Sequence, residues 1–277
     1  LVNPGDEVVL HEPSYVSYPS CTIFAGGTPV CVDTGVEDEF RLRADRLEEK
    51  ITDRTKAIIL SYPNNPTGAA LSRKDLEEIA DVANEHDLLV ISDEIYGRLT
   101  YEGTHTCFSS LNGMQERTIL LNGFSKAYAM TGWRLGYAAG NKEIIEAMMK
   151  IHQYVMLCAP ITAQKAALEA LRCDEEVEKM VSEYNRRRKL IVKGLRDIGL
   201  SCFEPKGAFY TFPSIQITGL TSDEFARRLL KEEKVVVIPG SVFGPCGEGF
   251  VRCAYAVSHH KIKEALERIG RFVERNR

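Results

Sequence analysis

Short apolar runs alternate with amphipathic segments along the first half of the chain, and this alternation predicts its fold. Buried strands are predicted at residues 7–11, 29–33, 57–61, 88–92 and 118–121. Helices are predicted at 44–51 and at 72–86, where Ser72 is a suitable N-cap and apolar residues recur at helical spacing. Strands that alternate with helices in this way are typical of βαβ units. We therefore predict an α/β fold with a mostly parallel sheet flanked by helices.

The pattern changes after Gly140. Three consecutive helices are predicted at residues 142–154, 160–172 and 174–198. Shorter strands are predicted near 200–203, 209–212, 235–238 and 250–255, with helices that start at 222 and 259. We place a domain boundary near Cys173, between a large domain (1–172) and a smaller C-terminal α+β domain (173–277).

Composition and charge exclude several classes of function. The 35 basic and 39 acidic residues leave a formal charge of −4 and no basic face for nucleic acid. No apolar run approaches the roughly 20 residues that cross a bilayer, so no membrane partner is expected. The eight cysteines are scattered without zinc-ligand spacing. We expect no metal site, and we interpret the cysteines as reduced, mostly buried thiols of a cytoplasmic protein.

Candidate chemistry follows three of the predicted strands. Asn65 lies in Asn-Asn-Pro-Thr-Gly, Asp93 opens Asp-Glu-Ile-Tyr, and Lys126 lies in Ser-Lys-x-x-x-Met-Thr-Gly-Trp-Arg-x-Gly. Taken singly, these are an ordinary turn, a solvated acidic turn and a surface lysine. The carboxyl ends of parallel strands, however, are where α/β proteins place their binding sites. The three motifs together favour one active site.

The motif around Lys126, together with the other two, resembles the class I aminotransferases, which are fold-type I pyridoxal-phosphate enzymes similar to aspartate aminotransferase. The resemblance covers essentially all 277 residues but begins well inside the large domain of the family. We expect roughly a hundred N-terminal residues of the family to be absent here. In relatives that segment carries a glycine-rich loop that holds the phosphate, so we expect this chain alone to bind the cofactor weakly or not at all.

The resemblance implies a role for each of five residues toward pyridoxal 5'-phosphate. Lys126 would form the Schiff base and then move the substrate proton, which requires a lysine of lowered pKa. Asp93 would pair with the ring nitrogen, while Tyr96 and Asn65 would bind the phenolic oxygen. Arg134 would clamp the phosphate, because a guanidinium binds phosphate with two parallel hydrogen bonds.

The resemblance also implies aromatic stacking and substrate binding. Tyr15 would stack on the cofactor ring and lie near the substrate, although a role for Tyr15 or Tyr18 in loop packing alone stays open. Arg252, in Phe-Val-Arg-Cys-Ala-Tyr, would bind the substrate α-carboxylate beside Asn65, although an arginine in such an alternating strand also suits a solvent-facing position.

One position departs from the family pattern. Gly123 stands where many relatives have a serine that contacts the phosphate. Ser125 is the nearest hydroxyl, and whether it substitutes stays open. We expect Trp133 to lie in the core, and Glu94 and Ile95 to point away from the site.

The reaction implied is transfer of an amino group between an amino acid and a 2-oxo acid, carried out by a homodimer. A β-elimination lyase of a sulfur amino acid would use the same residues and is one alternative. A non-catalytic regulatory relative is another, and the intact Lys126, Asp93 and Arg252 argue against it because buried charges are costly. The amino-acid preference does not follow from these residues.

Overall fold

The computed structural model, which describes residues 1–277, contains a six-stranded sheet in its first half. Its strands are β1 (Glu7–Glu12), β2 (Thr28–Asp33), β3 (Thr55–Ser61), β4 (Leu89–Asp93), β5 (Thr118–Gly123) and β6 (Gly136–Ala139). The order is β2-β1-β3-β4-β5-β6, and only the β5–β6 pair is antiparallel. The mostly parallel sheet is therefore confirmed. The short β6 was not predicted.

Eight α-helices accompany the strands. They are α1 (Ser17–Phe24), α2 (Ala44–Glu48), α3 (Arg73–Glu85), α4 (Lys142–Val155), α5 (Ile161–Ala170), α6 (Asp174–Asp197), α7 (Ser222–Glu233) and α8 (His259–Arg275). Ser72 caps α3 in a capping box with Asp75, and Asn141 caps α4. Only α1 was not predicted, because Pro19 suggests a turn; proline is tolerated here since it lies in the first helical turn.

A three-stranded antiparallel sheet forms in the C-terminal part. Its strands are β7 (Tyr210–Thr211), β8 (Ile238–Pro239) and β9 (Val251–Ala254), in the order β7-β9-β8. The strand predicted at residues 200–203 is wrong, because Cys202 forms only an isolated bridge to Pro213. Proline lacks the N–H that a ladder requires, so pairing stops there.

The large sheet buries its two faces in different clusters. Val9, Ile58 and Val90 face a cluster of 21 buried residues that includes the apolar side of α3. The alternate residues, such as Leu10 and Ile59, face a smaller cluster of four buried residues. This alternation is the period of two expected of strands, and it shows why these strands have almost continuous apolar runs.

A separate core forms in the C-terminal part, where 18 buried residues between Ile191 and Val273 join α6, α7, α8 and the small sheet. Phe212 and Phe243 pack instead against the first cluster and connect the two parts. We propose that the domain boundary lies near Cys173, at the start of α6. None of the helices combines the length and the hydrophobicity that a membrane crossing requires.

Two predictions about burial are wrong. All eight cysteines are free, but only Cys202 and Cys253 are buried, because most of the others lie on helix surfaces or in loops. Trp133 is 48% exposed, since it lies in a short 3-10 turn on the outer side of the segment that leads to Arg134.

Candidate active site

A cavity of about 510 Å³ lies where β3, β4 and β5 end. All eight predicted site residues line it: Tyr15, Asn65, Asp93, Tyr96, Ser125, Lys126, Arg134 and Arg252. Seven lining residues had no assigned role: Tyr18, Ser61, Ile95, Leu121, Asn122, Thr131 and Tyr210. The parallel topology brings the three strand-end motifs together, as expected for a site at the carboxyl edge of such a sheet.

Asp93 is the last residue of β4 and is largely buried beside the cavity. Its Oδ1 accepts a hydrogen bond from the Ile95 amide (3.1 Å), and its Oδ2 accepts one from the Tyr18 hydroxyl (2.8 Å). Burial raises the pKa of Asp93, while these two hydrogen bonds and the charge of Lys126 oppose the rise. Asp93 is thus a desolvated carboxylate with no cation hydrogen-bonded to it, and it suits a cationic partner in the cavity.

Lys126 follows β5 and also lines the cavity. Its Nζ lies 5.6 Å from the ring centroids of both Tyr96 and Phe209. Burial lowers the pKa of Lys126, and the positive charges of Arg134 and Arg252 lower it further. A lysine with a lowered pKa exists more often as the free amine, which is the form that attacks a carbonyl carbon.

Arg252 reaches the cavity from β9 and is held from two directions. Its Nη1 donates a hydrogen bond of 2.8 Å to Asn65 Oδ1. Its guanidinium carbon lies 4.5 Å from the centroid of Tyr210 and 4.9 Å from that of Phe243. Arg252 Nε is buried and has no hydrogen-bond partner. The guanidinium therefore keeps donors free for an anion in the cavity.

Two of the predicted tyrosines make contacts that the sequence did not predict. The Tyr96 hydroxyl lies 3.0 Å from that of Tyr210, a residue within the predicted strand at 209–212. Tyr15 is 44% exposed at the cavity rim and packs edge-on against Tyr18. Tyr18, three residues later on α1, is the residue that contacts Asp93.

The wall near Arg134 explains the glycine that departs from the family pattern. A side chain at Gly123 would place its Cβ 2.9 Å from Gly136 Cα and 3.0 Å from Leu135 O, because β5 and β6 approach closely there. Arg134 adopts a left-handed backbone conformation (φ 54°), and its Nη1 donates to Thr131 O. Ser125 lines the same wall.

The expectation for the two residues after Asp93 is half correct. Glu94 points away from the cavity and accepts hydrogen bonds from Ser92 Oγ, the Phe108 amide and the His105 ring. Ile95, by contrast, lines the cavity. Ile95 lies in a tight turn, because its amide donates a hydrogen bond to the Asp93 carboxylate.

The charges in the cavity define the ligand that would fit it. Three cationic side chains, Lys126, Arg134 and Arg252, and one largely buried carboxylate, Asp93, line the space. A molecule with an anionic group, an aldehyde and a protonated ring nitrogen satisfies all of them, and pyridoxal phosphate has these groups. Only Nη1 of the Arg252 guanidinium has a hydrogen-bond partner, so the group has donors left for a second anion, such as a substrate carboxylate.

Comparison with known proteins identifies relatives over the whole chain. The family model for aminotransferase class I and II matches residues 1–269. The aspartate aminotransferase of Pyrococcus abyssi is 51% identical over 97% of this chain and 70% of its own length. The aromatic-amino-acid aminotransferase 2 of Thermococcus litoralis is 49% identical, over 99% of this chain and 72% of its own length. The solved structure of an aromatic aminotransferase from Pyrococcus horikoshii superposes with a TM-score of 0.97 at 51% identity, over 99% of this chain and 75% of that one.

Proposed function

This chain belongs to the class I and II aminotransferase family and is an aminotransferase, and we propose that it holds pyridoxal 5'-phosphate through Lys126. Enzymes of this family generally depend on that cofactor, which when bound supplies an electron sink for charge at the substrate α-carbon. The observation that carries the proposal is the placement of Lys126, an amine of lowered pKa, in the same cavity as the largely buried Asp93. The reaction transfers an amino group from an amino acid to a 2-oxo acid.

Different residues of the cavity would bind different groups of the cofactor. Asp93 would pair with the protonated ring nitrogen, and the hydrogen bond from Tyr18 would help to keep it ionised. Arg134 would bind the phosphate, with Ser125 as the nearest hydroxyl. Asn65 and Tyr96 would donate to the phenolic oxygen, and Tyr15 would cover the ring from the rim.

Arg252 would bind the α-carboxylate of both substrates. The positions of Tyr210 and Phe243 against its guanidinium support a fixed, planar donor at that point. Asn65 accepts a hydrogen bond from the same guanidinium, so Asn65 would lie beside the bound carboxylate. Recognition of a common carboxylate accounts for binding of both an amino acid and a 2-oxo acid.

Lys126 would also move the proton at the substrate α-carbon. The amine must accept a proton near neutral pH and release it again, so an ordinary lysine pKa would leave it charged and inactive. Burial and the two arginines lower the pKa of Lys126 toward the working range. Arg134 and Arg252 therefore have two effects. They would bind the phosphate and the substrate carboxylate, and their positive charges lower the pKa of Lys126.

Reductive trapping tests the attachment to Lys126. The protein is incubated with excess pyridoxal phosphate, reduced with borohydride, and digested for peptide mass mapping. We expect the cofactor mass on the peptide that contains Lys126. Because reduction traps even a weakly populated imine, this result does not require tight binding.

Lys126→Ala and Lys142→Ala serve as the paired variants. Lys142 lies at the exposed start of α4, outside the cavity, so its loss should leave labelling unchanged. Labelling that persists in Lys126→Ala, or that spreads evenly over surface lysines, would refute the assignment.

We further propose that the chain assembles as a homodimer through the end of α4 and the segment that follows it. Seven large apolar side chains there are each more than half exposed: Met149, Ile151, Tyr154, Val155, Met156, Leu157 and Ile161. A contiguous apolar patch of this kind on a folded chain marks an interface. Sedimentation velocity should show a dimer that Ile151→Glu dissociates and Val236→Glu, an exposed valine elsewhere, does not. A monomeric parent would exclude it.

A cytoplasmic location is our proposal for the compartment. Its support is the eight free cysteines, which a protein of an oxidising compartment would tend to pair. Fractionation of cells that express the protein, with a periplasmic or secreted marker as reference, tests it.

A further inference from the structure

A second group of polar side chains lies outside the active-site cavity, where β1 and β2 end. Glu12 and Asp33 are the last residues of these strands and are paired in register. Cys246 approaches them from a short 3-10 helix, Pro245–Gly247, in the C-terminal part. One ligand atom from each of the three residues lies within 4.8 Å of the others.

Glu12 is the unusual member of this group. It is only 7% exposed, and its carboxylate accepts a single side-chain hydrogen bond, from the Cys31 thiol (3.2 Å). No lysine, arginine or histidine side chain donates a hydrogen bond to this carboxylate. A buried carboxylate beside a second carboxylate is costly unless positive charge is supplied.

Gly244 makes the approach of Cys246 possible. A Cβ at this position would lie 2.4 Å from Glu12 Oε2, and the backbone has a positive φ of 125° that side chains rarely adopt. The glycine therefore lets the backbone before Pro245 lie directly against the carboxylate oxygen that has no hydrogen-bond partner. Asp33 and Cys246 line a crevice of about 570 Å³ next to this contact.

We propose that Glu12, Asp33 and Cys246 bind a divalent cation of the zinc class and thereby join the parallel sheet to the Pro245–Gly247 loop. Two carboxylate oxygens and one thiolate are a donor set that zinc accepts, and water would complete four-coordination. Tetrahedral zinc places its ligand atoms ~3.3–3.8 Å apart, so a modest contraction of the three side chains would suffice. Cys31 would donate to Glu12 and orient it, as partners of ligating carboxylates do.

The cation would also offset the negative charges of Glu12, Asp33 and the Cys246 thiolate. A bound cation displaces the thiol proton, and one proton leaves for each ion that binds. This site is independent of the chemistry at Lys126. It revises our expectation from cysteine spacing, since its ligands come from three separate segments.

Equilibrium dialysis of the purified protein against Zn²⁺, with a phosphine reductant in place of thiols, tests the proposal. We expect one zinc per chain by elemental analysis, and a thiolate-to-metal charge-transfer band when Co²⁺ replaces zinc. Cys246→Ser and Asp33→Asn should weaken binding, and the loss of the thiolate should cost more than about a hundredfold in affinity. Asp33 is exposed, so its variant should fold even if a change at Cys246 does not.

Two matched variants sharpen the result. Cys31→Ser keeps a hydroxyl donor for Glu12, so it should bind zinc with a smaller loss than Cys246→Ser. Cys158→Ser removes an exposed thiol elsewhere and should change nothing. Equal zinc content in the parent and in both Cys246→Ser and Asp33→Asn would overturn the site, as would a Cys31–Cys246 disulfide or the absence of zinc above background in the reduced protein.

Discussion

The Tyr18 hydroxyl donates a hydrogen bond of 2.8 Å to Asp93 Oδ2, and it lies 2.9 Å from Ser61 Oγ. This contact joins α1 to the ends of β3 and β4. Burial raises the pKa of Asp93, so each donor that stabilises the carboxylate helps it to stay ionised. Tyr18 therefore acts on the cofactor through Asp93 and is a positioning residue.

Tyr18→Phe should shift the acid side of the pH–activity profile to higher pH. Removing the donor raises the pKa of Asp93 further, so the carboxylate is protonated at a higher pH and activity is lost earlier on acidification. A hydrogen bond to a charged group of ordinary strength corresponds to a shift of about one to two pH units. Tyr15→Phe is the control, because its ring lines the same cavity without a hydrogen bond to Asp93. A profile unchanged by Tyr18→Phe would contradict this role.

Arg252→Lys should impair substrate binding more than turnover. Lysine keeps the charge but loses the planar pair of donors, so one hydrogen bond to the carboxylate is lost. We expect KM for the amino acid to rise roughly tenfold to a hundredfold. Arg227→Lys, on an exposed face of α7, should leave KM unchanged. The same KM in Arg252→Lys as in the parent would show that the carboxylate binds elsewhere.

The sequence predicts the parts of the site that lie at strand ends. Asn65, Asp93 and Lys126 each follow an apolar run that is long enough to be recognised as a strand, and the parallel topology then brings them together. Tyr18 and Tyr210 were missed as contacts because they reach the cavity from α1 and β7. Had α1 been predicted, Tyr18 would have been placed in its first turn, close to the strand ends.

Tertiary packing accounts for what the sequence does not predict. β6 is recognisable only through its pairing with β5, and the Glu12–Asp33–Cys246 group depends on a loop more than two hundred residues away. The strand predicted at 200–203 failed because a proline occupies the partner position. Local sequence patterns predict single helices and strands. Contacts between elements that are distant along the chain are seen only in the folded structure.

Gly123→Ser, which restores the hydroxyl that many relatives carry, should destabilise the protein instead of improving phosphate binding. The new Cβ would lie 2.9 Å from the Gly136 backbone, so β5 and β6 must separate. Overpacking of this kind costs about 1–3 kcal/mol, measurable by urea unfolding. Gly132→Ser is the matched control, since nothing lies within 4 Å of its Cβ. Tighter phosphate binding at unchanged stability would contradict this account.

His11 should make the protein sensitive to acid. It is buried in β1, and burial lowers its pKa from 6.5 to about 3. Between these values the unfolded chain takes up a proton that the folded chain does not, so stability falls as the pH falls. In His11→Gln the slope of the unfolding free energy against pH, measured between pH 6 and pH 4, should decrease by the amount that corresponds to about one bound proton. The slope is the relevant quantity, because loss of stacking on Tyr62 also lowers the absolute stability. His152→Gln, on the exposed face of α4, should keep the parent slope.

Lys126→Met should stabilise the cofactor-free protein at neutral pH. Burial, Arg134 and Arg252 lower the pKa of Lys126 below its ordinary value of 10.5, so the folded state holds this proton less tightly than the unfolded chain. The resulting penalty is complete below the folded pKa and disappears as the pH rises toward 10.5, because the unfolded lysine then loses its proton as well. Methionine has a similar shape without the charge, so urea unfolding should show a stability gap over the parent that closes on the alkaline side. Lys142→Met, whose side chain is 86% exposed, should show no such gap. If the stability difference between Lys126→Met and the parent is absent at neutral pH, or does not change with pH, then the charge of Lys126 does not destabilise the folded protein. Its readiness to act as an amine would then need another cause.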